Sequence, residues 1–149
     1  MARSDHLERL RQINRVRALQ SQVAQAAAAR AAADLEEARV RRDRGDERLA
    51  QNHERWAAAL AEPSMALEVV SAWGVSIDAA RAELSVLETR LADVGDLADG
   101  RAKALRLAQA RERQAEQVER SAARRARRAR EEAQLAEVAD RTAQKAVGR

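Results

Sequence analysis

The chain has no cysteine, phenylalanine or tyrosine, one proline, and only five glycines in 149 residues. Missing cysteine removes disulfides, thiolate metal sites and cysteine nucleophiles together, and fits a reducing compartment. With two tryptophans as the only aromatics, the large apolar residues are too few to fill a compact core. Burial has to come from a thin seam between helices. No run of about 18 apolar residues occurs that could cross a bilayer. The start, Met1-Ala2-Arg3-Ser4-Asp5-His6, lacks the apolar stretch of a secretory signal. The expected location is cytoplasmic.

What is present is alanine, arginine, glutamate, leucine and glutamine. Hydrophobic residues reach 46% because 37 of them are alanine, and charged residues add 35%. This is the composition of long helices and coiled coils, and these residues lose little rotamer freedom in a helix. The net charge of +4 is small and is weak evidence for nucleic acid.

Strong helix-stop signals fall in one interval only. The reading is all-α: a long antiparallel two-helix coiled-coil hairpin, taken as a single domain over 1–149. Helix 1 is expected over about 4–62, capped by Ser4 or Asp5 and stopped by Pro63, which restricts the residue before it and lacks a backbone donor. Within a turn region at 62–76, Ser64 can cap a short helix over 64–73 that Gly74 closes. Ser76 is a second cap candidate with Asp78 in the first turn, so helix 2 is expected over about 76–147. By length the helices span about 87 Å and about 105 Å, leaving the end of helix 2 without a partner.

Helix 2 carries the clearer heptad. Ile77, Ala80, Leu84, Leu87, Leu91, Val94 and Ala98 alternate in steps of three and four, a continuous apolar stripe. Leu105, Ala108, Ala115, Val118, Ala122, Ala126 and Ala129 extend it past Arg101 with one extra four-residue step, and Ala133, Ala136, Ala143 and Val147 end it. The unchanged phase through Gly95 and Gly100 places both inside the helix. For helix 1 the expected stripe is Leu7, Leu10, Ile13, Val16, Leu19, Val23, Ala27, Ala31, Leu35, Ala38, Leu49, Trp56 and Leu60, with no second apolar face on either helix.

Nothing in the chain resembles a catalytic or phosphate-binding motif, and His6 and His53 are too far apart to share a metal ion. A two-helix rod has no cleft to exclude water. The expectation is no enzymatic activity, no cofactor, no metal and no small-molecule substrate. Arg120, Arg124, Arg125, Arg127, Arg128 and Arg130 form the strongest charge feature. It reads as a solvated coiled-coil exterior, with an acidic protein partner as the next reading. Nucleic acid ranks below both because no aromatic side chains accompany the arginines, and a membrane surface ranks last. The bulky residues around Trp56, Leu60 and Trp73 read as a local core closing the turn, or as a partner-binding tip.

Two long charged helices, an interruption just before the middle, and a long second helix resemble the flagellar and virulence type III export stalk proteins, the FliJ/YscO family. Leu7-Glu8-Arg9-Leu10-Arg11 through Val16-Arg17 is similar to the family's basic-apolar opening turns. Arg130-Glu131-Glu132-Ala133-Gln134-Leu135-Ala136-Glu137-Val138-Ala139 is similar to its C-terminal run, with Ala136 where aspartate is common. The resemblance implies a central stalk in a cytoplasmic export ATPase hexamer, peripheral to a membrane-embedded export gate, with export chaperones as further partners. It implies Leu7, Leu10, Ile13, Arg17, Arg130, Glu137 and Arg141 as ring-facing residues. Trp56, Leu60 and Trp73 would then face the gate. The isolated chain is expected to be a monomer or weak homodimer. The competing readings are a self-assembling structural coiled coil and an arginine-rich nucleic-acid-associated protein.

Overall fold

The computed structural model describes the backbone of residues 2–147 and the side chains of residues 5–144. The described chain is two α-helices, α1 (Ala2–Leu60) and α2 (Leu67–Val147), joined by residues 61–66, with no strand among the described residues. The helices pack against each other through side-chain pairs such as Asn52–Ser76 and Arg48–Glu83.

α1 ends where expected. The Ala61 amide donates to the carbonyls of both Ala57 and Ala58 at 3.2 Å, and Glu62 donates to Ala59 at 3.2 Å. This tightened last turn satisfies carbonyls that would otherwise be orphaned, and Pro63 follows with no amide to donate. α2 begins with the Ala66 carbonyl accepting from Val69 at 3.0 Å and Val70 at 3.4 Å.

Three boundary expectations are corrected. The short helix over 64–73 does not form as a separate element, because α2 starts at Leu67 and runs unbroken through Gly74. A glycine inside a helix costs only about 1 kcal/mol relative to alanine, less than breaking the ladder and leaving two helix ends to be capped. No described glycine has a positive φ. Ser76 therefore caps nothing; its hydroxyl accepts a hydrogen bond from the Asn52 amide at 3.3 Å. Finally, α1 starts at Ala2, so Asp5 lies in its first turn, where a carboxylate favours the helix dipole. The Ser4 side chain, and Val147 at the end of the expected stripe, lie outside the described side chains. Gly95 and Gly100 lie inside α2 as expected.

The chain divides into two compact units, Gln25–Ala104 and Met1–Ala24 with Leu105–Arg149. In the first, Ala31, Ala38, Ile77 and Ala80 form the buried core. Leu35, Leu49, Trp56, Leu84, Leu87, Leu91, Val94 and Ala98 stand half-buried beside them, so most of the expected seam is present here. Small residues on one helix meet large ones on the other. A Cβ added at Gly45 would lie 2.9 Å from Leu87 Cδ1, and one at Gly95 would lie 3.9 Å from Leu35 Cδ1. Leu60, expected in the seam, is 51% exposed. After Ala98 the stripe makes its four-residue step at once, leaving Ala102 half-buried and Arg101 exposed. The change of phase thus comes earlier than the expected one between Val118 and Ala126.

In the second unit the seam differs from expectation. Leu7, Leu10, Asn14, Arg17, Ala18, Ser21 and Ala24 are the less exposed described positions of α1 in this unit. Ile13, Val16, Leu19 and Val23 are exposed by 50%, 48%, 60% and 70%. Residues 13, 16 and 19 follow one another in steps of three, each about 60° short of a full turn, so they drift off any single seam. Asn14 can occupy the seam because its amide donates to Glu119 Oε2 at 2.7 Å. Opposite them, Leu105, Glu112, Ala115, Glu119, Ala122, Ala126 and Ala129 are half-buried, while Val118 is exposed. The displaced aliphatics give α1 a second apolar face. From Arg130 to Gln144 every described side chain of α2 is exposed, as expected for an end without a partner.

Candidate functional site

Charge separates between the units. Met1–Ala24 with Leu105–Arg149 carries seventeen Lys and Arg against nine Asp and Glu, a net +8. Gln25–Ala104 carries eleven against fifteen, a net −4. The two units thus present surfaces of opposite net charge.

The basic unit holds two grooves between α1 and α2. One, of about 200 Å³, is lined by Leu10, Ile13 and Arg17 from α1 and by Arg111, Gln114, Ala115 and Val118 from α2. The structure thus brings three of the sequence-selected residues to one place. The other groove, of about 630 Å³, has Leu7, Glu8 and Arg11 on the α1 side. On the α2 side lie Ala123, Ala126, Ala129, Ala133, Arg127 and Arg130. Its floor is alanine, which lets another backbone approach closely, and its walls carry guanidinium groups suited to carboxylates. Glu137 and Arg141 line neither groove. They pair with each other one turn apart on the exposed end of α2.

Between the grooves lies a polar cluster that sequence reading missed. Glu119 accepts from Asn14 at 2.7 Å and makes an ion pair with Arg11 at 3.7 Å. Its composition gives no signal, since glutamates are everywhere in this chain. Only the register of α1 on α2 selects it.

The arginine run is partly engaged along its own helix. Arg120 pairs with Glu116 at 3.2 Å and Arg127 with Glu131 at 3.0 Å, while Arg124 donates to the Arg120 carbonyl at 3.4 Å. Such exposed pairs contribute about 0.3–0.5 kcal/mol each. Arg125 and Arg128 are exposed as well.

In the acidic unit, Trp73 is half-buried and lines a shallow apolar groove of about 420 Å³ with Glu68, Val69, Ala72 and Ser76, all on α2. Trp56 is half-buried in the seam, and its Nε1 is fully covered without a hydrogen-bond acceptor. Leu60 points to solvent. Trp56 therefore belongs to the packing near the turn, whereas Leu60 and the groove beside Trp73 are open to solvent. His53 is half-buried and His6 exposed. Among the described residues no three His, Asp or Glu side chains gather to hold a metal ion, and no helix is long and apolar enough to cross a membrane.

No protein-family description, curated protein or solved structure matches the chain.

Proposed function

We propose that the chain is a non-enzymatic central stalk and adaptor of a type III protein export apparatus, flagellar or virulence-related. In this reading it is an antiparallel coiled-coil hairpin, cytoplasmic and peripheral to the membrane-embedded machinery. Its ends contact the export ATPase hexamer, and the rest contacts the export gate and export chaperones.

The observation that carries the reading is the way the two sets of candidate residues sort. Leu7, Leu10, Ile13, Arg17, Arg130, Glu137 and Arg141 all fall in the basic unit, the first five of them lining its grooves. Trp56, Leu60 and Trp73 all fall in the acidic unit. A molecule that links two assemblies needs two unlike surfaces and no chemistry. Polar residues in the seam support the reading too, because such seams trade stability for a defined register.

Photoreactive groups placed at Leu10 and at Trp73 test it. The account expects capture of the export ATPase from position 10 and of the export gate from position 73. Capture of one and the same protein from both positions, or of neither assembly from either, contradicts it. The exposed row Ile13–Val23 favours a second reading, a self-assembling structural coiled coil, which predicts capture of further copies of the chain at both positions.

A further inference from the structure

The exposed row on α1 and the acidic surface of α2 have matching properties, and of their residues the stalk reading uses Ile13 alone. Ile13, Val16, Leu19 and Val23 stand on solvent, flanked by Arg9 and Arg15, and no acidic residue occurs between Glu8 and Asp34. An apolar row in a field of one sign cannot be covered by a copy of itself, since arginines would face arginines. Its occupant must bring carboxylates around an apolar stripe.

Such a stripe exists in the other unit. Val75, Val86 and Leu97 are exposed on α2 at intervals of eleven residues, close to three helical turns, so they share a face. Asp93 and Arg90 fall on that face and Asp96 at its border; residues 75–99 hold six acidic side chains against two arginines, with Glu83 paired to Arg48 and Asp78 to Arg81. Among the described residues, Arg9, Arg15, Asp93 and Asp96 form no ion pair. The lengths also agree: Ile13 to Val23 covers about 15 Å of helix and Val86 to Leu97 about 16 Å.

We propose that a second copy of this chain covers the row. The arginine-bordered ridge of α1 in one molecule docks on the Val86–Leu97 face of α2 in another, the basic unit of each copy meeting the acidic unit of its neighbour. The proposal stands apart from the stalk reading. The contact is weak and salt-sensitive, because exposed charges beyond a screening length of about 10 Å at about 0.1 M salt no longer attract.

The test is sedimentation equilibrium of the full chain at about 0.02 M and about 0.5 M salt, with helicity followed by circular dichroism. The wild type is expected to self-associate at low salt, at least about tenfold more weakly at high salt. The pair R9E/R15E, or the pair D93K/D96K, abolishes association with helicity unchanged, and the two pairs in one chain restore it. V16E with V23E abolishes it in every background. A chain that stays monomeric at low salt overturns the proposal and leaves the ridge to an acidic helix of another protein. Association that persists at high salt, or ignores the reversals, overturns it in favour of a helix-seam oligomer. Failure of the combined reversal to restore association overturns the charge pairing itself.

Discussion

The side-chain amide of Asn52, buried in the seam, donates to the hydroxyl of Ser76 at 3.3 Å. Two polar groups thus satisfy each other where α1 and α2 come together next to the turn. A pair of this kind contributes little net stability but penalises any other register, because sliding leaves a buried amide without a partner. The N52L/S76A pair, which removes both partners, is expected to raise the thermal midpoint while loosening register, and N52A alone to lower stability by about 1–3 kcal/mol by stranding the Ser76 hydroxyl. Thermal melts of the two variants, with the sign of the change differing between them, check this.

Glycine substitutions should separate by position. Gly100 has nothing within 4 Å of an added Cβ, so G100A is expected to stabilise by about 0.5–1 kcal/mol through helix propensity. At Gly45 the added Cβ would sit 2.9 Å from Leu87 Cδ1 and 3.5 Å from Leu84 Cδ1. G45A should gain less than G100A, and G45L should lose about 1–3 kcal/mol by overpacking. Urea unfolding of the three variants decides. Equal gains at both glycines contradict the close approach.

Glu119 ties Asn14 and Arg11 into the basic unit. A double-mutant cycle of N14A and E119A is expected to give a coupling of about 0.5–1.5 kcal/mol, and the cycle of R11A and E119A less, since exposed ion pairs at long range contribute little. The reverse order contradicts the assigned hydrogen bond.

The end of α2 is helical and exposed along every described side chain. From Arg130 to Gln144 it is held by backbone bonds and by pairs such as Arg127–Glu131 and Arg141–Glu137. Isolated helices of this length are marginal in water. Amide hydrogen exchange is expected to be fastest over 131–144 and slowest around Ala31, Ala38, Ile77 and Ala80. Protection of the α2 end equal to that core contradicts the exposure of its described side chains.

Much of the fold was legible in the sequence. Alanine-rich composition, the lone Pro63 and the heptad from Ile77 to Ala98 gave two helices packed on each other, with the seam of the acidic unit nearly as expected. The seam of the basic unit was misread at Ile13, Val16, Leu19 and Val23 because hydrophobicity was allowed to outvote spacing. The strict alternation from Leu10 leads to Asn14, Arg17 and Ser21, which composition marks as surface. Gly74 and Ser76 were misread as helix punctuation because a glycine's cost is smaller than that of two helix ends, and because a serine's tertiary partner is invisible before register is known. The two residue sets chosen from the sequence fall in separate units, but the Glu119 cluster and the alanine-floored groove beside Arg127 and Arg130 depend on which faces of two helices meet.

Light scattering of the chain, alone and mixed with the export ATPase of the same organism, tests the stalk reading most directly. The account predicts a particle with the mass of an ATPase hexamer plus this chain, lost in the L10E and R130E variants while their helicity is unchanged. A chain that elutes apart from the ATPase at every ratio, with or without self-association, would contradict it.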